Sequence, residues 1–114
     1  MNRIMAAGLV AEAEQGKRVL VLSGSQQMAH EAFRQIVEVG RPDIFKAIYT
    51  NGAQSVQLAD GGRIDFRSVR STGSRGISAD LLFIDHDADE AFRSRPGDFI
   101  AAIATSAPGE LNRA

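Results

Sequence analysis

The sequence predicts an α/β fold in which a small, largely parallel sheet is flanked by helices. Two continuous apolar runs, Arg18 to Ser23 and Leu81 to Ile84, have the composition of strands buried on both faces. A segment of helical period follows the first run, and a period-two pattern typical of a β-hairpin lies between the two runs. Parallel strands, flanking helices and one hairpin are therefore expected.

Composition sets the outer limits of the fold and of the function. The chain has 114 residues, 44% of them apolar, and a formal net charge of −1, which predicts one domain over residues 1–114. It contains no cysteine, so disulfide scaffolds and thiolate metal sites are excluded. No apolar run is long enough to span a membrane, and no signal-peptide core is present, so we expect a cytoplasmic protein.

The first element is an expected helix from Asn2 to Gln15, with Asn2 as its N-cap and Gly16 as its end. Its apolar face is predicted to consist of Ile4, Met5, Leu9 and Val10.

A second helix is expected directly after the first buried strand. Ser23 and Gln26 have the spacing of a capping box, so Ser23 is the expected N-cap. Gly40 and Pro42 end the helix. Its apolar positions recur at helical period, at Met28, Ala29, Ala32, Phe33, Ile36 and Val37.

The hairpin pattern comes next. A strand is expected from Ile44 to Thr50, followed by a tight turn at Asn51-Gly52. Beyond it, apolar and polar residues alternate on both sides of a second turn at Asp60-Gly61-Gly62. This alternation predicts one apolar and one polar face, and it places on the polar face Arg63, Asp65 and Arg67.

The sequence pattern of the C-terminal part is less regular, so its secondary structure is less clearly predicted. A short helix is expected from Ala88 to Arg95. Residues Asp98 to Ser106 fit either a strand or a helix, and their helical spacing of apolar residues favours the helix. The residues from Glu110 to Ala114 are expected to be frayed.

The order of these elements resembles the ATPase core of phage terminase large subunits and of related helicase-type P-loop ATPases. The matching pieces are the first strand and helix, the Asn51-Gly52 hairpin, the segment from Gly73 to Gly76 (Gly-Ser-Arg-Gly), and the apolar strand that ends at Asp85. The match covers residues 17–90. It implies a small three-layer, RecA-like partial core derived from a P-loop NTPase, and it suggests a phage-encoded protein in a bacterial host cytoplasm.

Two departures from that family bear on function. The family binds phosphate with a Gly-rich loop ending in Gly-Lys-Ser/Thr, whereas the only Gly-Lys here, Gly16-Lys17, is followed by Arg18 and a strand. The family's Asp-Glu pair is Asp85-His86 in this chain. The resemblance therefore implies a truncated relative that lacks the phosphate loop and has no catalytic residue. Asp85, His86 and Asp87 would be the remnant of its nucleotide and metal site.

The acidic cluster after the second buried strand has two interpretations. Its Asp-x-Asp-x-Asp spacing begins like a calcium loop, but Glu90 and Pro96 stand where that loop needs glycine and glutamate. A Mg²⁺ or Mn²⁺ site at Asp85 is one alternative, since clustered carboxylates suit hard cations. A solvated, acid-rich helix start is the other, and in that case no cofactor is expected.

A basic segment precedes the same strand and also has two interpretations. Contact with phosphate or nucleic acid is the functional one, and it assigns that contact to Arg67, Arg70, Ser74 and Arg75. The alternative is pairing of these arginines with acids inside the domain or across a dimer. His30, on the second helix, is expected to be partly exposed and structural.

Three functions remain open at this stage. The first is a non-catalytic interaction protein that binds a protein partner or itself, with a homodimer as the expected form. The second is a nucleic-acid-binding protein, DNA included, that uses the basic segment between Arg63 and Arg75. The third is a metal-dependent phosphoesterase or nuclease that uses Asp85, His86 and Asp87. Whether another chain supplies a phosphate loop is also left open.

Overall fold

A computed structural model describes residues 2–40, 45–49, 54–59, 61–69, 79–88 and 110–113. The expected turn at Asn51-Gly52, most of the basic segment and the expected elements from residue 89 to residue 106 lie outside these ranges.

The described strands form one mixed sheet of six strands in the order β2-β3-β4-β1-β5-β6. Strand β1 is parallel to both β4 and β5, strand β6 is parallel to β5, and β3 is antiparallel to both of its neighbours, β2 and β4. This confirms the predicted α/β class with parallel strands, flanking helices and a hairpin. The elements in chain order are α1 (Arg3–Glu14), β1 (Arg18–Ser23), α2 (Gln26–Val39), β2 (Phe45–Ile48), β3 (Ser55–Leu58), β4 (Arg63–Ser68), β5 (Leu81–Ile84), a 3₁₀ turn (His86–Ala88) and β6 (Glu110–Arg113).

Both faces of the central strands are buried, as the continuous apolar runs predicted. One face packs against α1 and α2, with Phe33 of α2 lying edge-on to Phe66 at a centroid distance of 5.5 Å. The opposite face holds a second, smaller cluster that includes the 3₁₀ turn, formed by Leu20, Leu22, Ala79, Leu82, Ile84 and Ala88. The core is therefore made largely by β1, β4 and β5.

Helix α1 begins and ends where the sequence indicates. The Asn2 side chain accepts a hydrogen bond from the Met5 N–H at 2.8 Å, and Gly16 takes a positive φ of 86° just beyond the end of the helix. The expected apolar face is partly wrong, because Ile4 is 84% exposed. The side chains that α1 buries are Ala6, Leu9, Val10 and Ala13.

Helix α2 is capped by a different serine from the one expected. Ser25 accepts from the Met28 N–H at 3.2 Å, whereas Ser23 is still the last residue of β1. The reason is the sheet: Ser23 is still in register with Ser68 of β4, so the N-cap of α2 lies two residues later than a capping box at Ser23 requires. Gly40 caps the C-terminus, as expected.

The hairpin's second arm, β4, has a larger role than the alternation alone indicated. It pairs antiparallel with β3 and at the same time parallel with β1, so it is an interior strand. Consequently the predicted polar face is partly buried, and Asp65 is only 7% exposed.

The last described residues are not frayed, and that expectation is wrong. Glu110–Arg113 form β6, which pairs parallel with β5 so that Leu111 lies opposite Leu82. Backbone hydrogen bonds to β5 hold this short segment in place. No helix among the described residues is long and apolar enough to cross a membrane.

Candidate functional site at the carboxyl edge of the sheet

The register of β4, β1 and β5 arranges their helix-facing side chains in rows. Two apolar rows come first, formed by Ile64, Val19 and Leu81 and then by Phe66, Val21 and Phe83. The third row, at the carboxyl ends of the strands, is polar. It begins with the register pair Ser68 and Ser23, and Asp85 extends it because the Asp85 N–H donates to the Leu22 carbonyl at 2.9 Å. We call Ser68, Ser23 and Asp85 the polar row.

The polar row is buried and incompletely hydrogen-bonded. Ser23 and Ser68 are fully buried and Asp85 is 3% exposed. Neither serine Oγ has a hydrogen-bond partner among the described residues. The same holds for Oε1 of buried Gln54, whose carbonyl accepts from the Phe66 N–H one row away. Buried polar atoms are normally paired, so this edge has spare hydrogen-bonding capacity.

Asp85 lies where the sequence predicted a nucleotide or metal remnant, and its carboxylate has a local role. Oδ1 accepts from the His86 N–H at 2.9 Å, and the Asp85 carbonyl accepts from the Ala88 N–H at 2.9 Å, so the residue caps the 3₁₀ turn. His86 is exposed and does not join the polar row. The side chain of Asp87 lies outside the described part of the chain.

The donor set of the polar row is one carboxylate and two hydroxyls. Such oxygens suit a hard cation, and Mg²⁺ in particular is often held by a single carboxylate when substrate phosphates and water complete its coordination. Across the described ranges there is no group of three or more His, Asp or Glu residues placed to hold a metal ion. A Mg²⁺ or Mn²⁺ ion at Asp85 therefore stays a prediction.

The described arginines of the basic segment are engaged within the domain. Arg63 Nε lies 2.9 Å from Asp65 Oδ2 and forms an ion pair with it. Arg67 Nη1 donates to the carbonyls of Phe66 at 2.8 Å and Gln54 at 3.3 Å. Burial raises the pKa of Asp65, and the charges of Arg63 and Arg67 partly offset that rise. Arg70, Ser74 and Arg75 lie outside the described residues, so contact of this segment with nucleic acid remains a prediction.

The opposite, amino edge of the sheet carries a contact that sequence reasoning missed. Asp80 Oδ2 accepts from the backbone N–H of Arg18 at 3.0 Å, and Asp80 Oδ1 lies 3.3 Å from Arg18 Nη2. These hydrogen bonds from Arg18 hold the pKa of Asp80 below its usual value. The position of Asp80 directly before a buried strand could have indicated the contact, but nothing in the sequence identifies its partner.

Ser68 and Gln54 were also missed as members of the site. Ser68 is the last residue of a strand, as Ser23 is, and this shared position was the only available signal. It becomes informative only when β4 and β1 are known to be parallel neighbours, which their separation in sequence does not reveal.

A separate surface groove of about 300 Å³ lies between α2 and the end of β2. Its described lining residues are His30, Phe33, Arg34, Val37, Glu38 and Tyr49. His30 is exposed, as expected, and it lies at the side of this groove.

Comparison of the fold with solved structures finds large terminases of bacteriophages. The HK97 bacteriophage large terminase matches with a TM-score of 0.63 and 16% identity, over 85% of this chain and 22% of that one. The large terminase ATPase domain of Thermus phage P74-26 matches with a TM-score of 0.58 and 17% identity, over 87% of this chain and 47% of that one. A mutant of the same domain matches with a TM-score of 0.60 and 15% identity, over 96% and 51%.

These likenesses establish a terminase-like fold and confirm the RecA-like architecture that the resemblance implied. The chain spans between about a fifth and about half of the length of these structures. No protein-family model matches the sequence, and no curated protein does.

Proposed function

We propose that this chain is an interaction protein with a terminase-type fold, which docks onto a protein partner or a second copy of itself and does not hydrolyse nucleotide. The observation that carries the proposal is the end of β5. There the terminase-type ATPases that the sequence resembles have Asp-Glu, and this chain has a buried Asp85 followed by an exposed His86.

The chemistry at that strand end supports binding without turnover. In nucleotide hydrolases an acidic side chain at this position orients the attacking water. The imidazole of His86 carries no negative charge with which to hold that water beside a metal–triphosphate. The polar row contains one anion and no cation, so it does not by itself attract triphosphate oxygens.

The surface offers features suited to docking. Among the described strands, β2 and β6 each have one neighbour, so each presents a sheet edge that an extended segment of a partner can extend. Ile4, Met28 and Tyr49 are large apolar side chains that are 84%, 41% and 67% exposed. Scattered exposed apolar residues are ordinary on protein surfaces, so the support comes from their combination with open sheet edges.

The test for turnover is a phosphate-release assay with Mg²⁺ and ATP, run in parallel on the chain and on Asp85→Asn. We expect no release above the no-enzyme control from either protein. Release by the chain that Asp85→Asn abolishes would contradict the proposal and return the chain to the active ATPases.

The second part of the proposal, docking to a partner or to a second copy, is tested by sedimentation velocity over the micromolar concentration range, followed by cross-linking and mass spectrometry. A concentration-dependent dimer supports self-association, and a strict monomer removes that form of the proposal and leaves a different protein as the partner. Retention of single- or double-stranded DNA that weakens steeply with added salt would instead favour the nucleic-acid alternative.

A further inference from the structure

The groove between α2 and β2 has an aromatic lining. Buried Phe33 is one of its lining residues, and Tyr49 meets Phe33 edge-on at a centroid distance of 5.1 Å while remaining 67% exposed. The His30 ring also lies beside Phe33, with a centroid distance of 6.2 Å and an interplanar angle of 34°. Three rings thus border a groove with a volume of about 300 Å³, and two of them, those of His30 and Tyr49, belong to exposed residues.

Among the described residues, charge at the groove is unbalanced towards the acidic side. Arg34 is the one described guanidinium in the lining, and its Nη1 lies 3.2 Å from Glu31 Oε1. Glu38 also lines the groove and makes no ion pair with any described residue. An incoming group therefore meets ring faces and one carboxylate whose charge is not balanced.

Ring faces beside a free carboxylate are complementary to a cation. The negative face of an aromatic ring attracts ammonium and guanidinium groups, and a nearby carboxylate adds a hydrogen-bond acceptor and a countercharge. An anionic ligand such as a nucleotide phosphate would be repelled by Glu38, and Arg34 is the only cation among the described lining residues that could bind it. The apolar wall provided by Val37 suits the methylene stem of a long cationic side chain.

We propose that this groove binds a single cationic side chain, an arginine or a lysine, that a protein partner presents. Tyr49 supplies the ring face, Glu38 supplies the countercharge, and the edge-on contact with Phe33 positions Tyr49. The biological role rests on the proposed docking function, because it names the kind of partner that would dock. The binding chemistry of the groove is independent of the end of β5, so the two proposals can fail separately.

The experiment titrates the full chain with the capped tripeptide acetyl-Gly-Arg-Gly-amide and follows backbone amide shifts by NMR. We expect saturable shifts at Phe33, Val37 and Tyr49. The same peptide with citrulline, which keeps the shape and removes the charge, should bind at least about threefold more weakly, and so should a norleucine peptide.

Variants at exposed positions locate the contact without disturbing the core. Glu38→Gln should weaken binding of the arginine peptide about threefold, and Tyr49→Leu by a similar or larger factor, whereas Tyr49→Phe keeps the ring and should retain binding. Glu14→Gln is the matched control, because it makes the same change at an exposed position of α1 and should leave binding unchanged.

Three results would overturn the proposal. They are the absence of saturable shifts with the arginine peptide, equal affinity for the citrulline peptide, and equal weakening by Glu14→Gln and Glu38→Gln. None of them bears on nucleotide hydrolysis, and release of phosphate from ATP would leave the groove proposal intact.

Discussion

The two ends of the central strands differ in how far their polar groups are hydrogen-bonded. At the amino edge, Arg18 and Asp80 join β1 to the start of β5 through backbone and side-chain hydrogen bonds, and Lys17 pairs with Glu12 of α1. At the carboxyl edge, the buried hydroxyls of Ser23 and Ser68 have no partner among the described residues. Strands β1, β4 and β5 contribute to both edges, so the difference lies in the residues at which these strands begin and end.

This contrast distinguishes polar groups that stabilise the sheet from polar groups that are left able to bind something else. A net intramolecular hydrogen bond contributes about 1 kcal/mol to stability, whereas a buried polar atom left without a partner costs about 1–3 kcal/mol. The amino edge therefore stabilises the sheet, and the carboxyl edge lowers its stability in exchange for unused donors and acceptors. Open α/β sheets bind their ligands at the carboxyl end, which agrees with where the unused capacity lies.

The largest expected effect comes from removing that unused capacity. The double variant Ser23→Ala/Ser68→Ala should raise the free energy of unfolding by about 2 kcal/mol, because it deletes two buried hydroxyls that lack partners. Urea unfolding at neutral pH measures the change. Ser25→Ala is the control with the opposite sign: its hydroxyl caps α2, so its loss should lower stability by about 1 kcal/mol.

A loss of stability in the double variant would contradict the comparison. It would mean that ordered water or a bound group satisfies Ser23 and Ser68, and that the two edges are equally well paired.

The next largest effect tests the fastening at the amino edge. Asp80→Asn should lower the free energy of unfolding by about 1 kcal/mol at neutral pH, because the charged acceptor of the Arg18 bonds is lost. The folded pKa of Asp80 lies below the usual 3.8, so its contribution is present above that value and is lost as pH falls through the folded pKa. The wild-type chain and the variant should therefore converge in acid.

Thermal unfolding as a function of pH measures this convergence. The control is Glu14→Gln, an exposed carboxylate on α1, which should change stability little at any pH. A constant difference between Asp80→Asn and wild type down to strong acid would show that the carboxylate charge is not the source of the stabilisation.

The sequence predicts the central strands and the position of Asp85, but not the contacts between strands at either edge. The buried strands β1 and β5 follow from continuous apolar runs, and so does the placement of Asp85 directly after the carboxyl end of β5. The polar row does not follow, because it depends on β4 pairing with β1, and local alternation fixes which face a residue occupies but not which strand lies beside it. For the same reason Arg18 and Asp80, 62 residues apart, could not be paired from the sequence.

Asp65 gives a smaller effect of the opposite sign to that of Asp80. Burial raises its pKa above 3.8, so the folded chain binds this proton more tightly than the unfolded chain does. Its contribution to stability therefore declines as pH rises from 3.8 through the folded pKa. At neutral pH, Asp65→Asn should be about 0.5 kcal/mol more stable than wild type, because it removes a desolvated charge that Arg63 and Arg67 offset only in part.

The gain from Asp65→Asn should disappear in acid, and pH-dependent urea unfolding of the same samples checks this. If Asp65→Asn instead destabilises the chain at neutral pH, the Arg63 ion pair outweighs burial at this position, and Asp65 belongs with Asp80 among the groups that fasten the sheet.

The smallest expected effect is the coupling between Lys17 and Glu12, and it tests which contacts stabilise the amino edge. Lys17 and Glu12 form an ion pair whose side chains are 34% and 35% exposed, so solvent and salt screen their attraction. A double-mutant cycle with Lys17→Met and Glu12→Gln should give a coupling of about 0.3 kcal/mol that weakens with added salt. The same cycle on the more exposed pair Glu31 and Arg34 should give no more than that. A coupling near 1 kcal/mol at Lys17 would mean that charge pairing in general holds this edge. The expected small value assigns the hold to Arg18 and Asp80, where a backbone N–H is bound as well as a side chain.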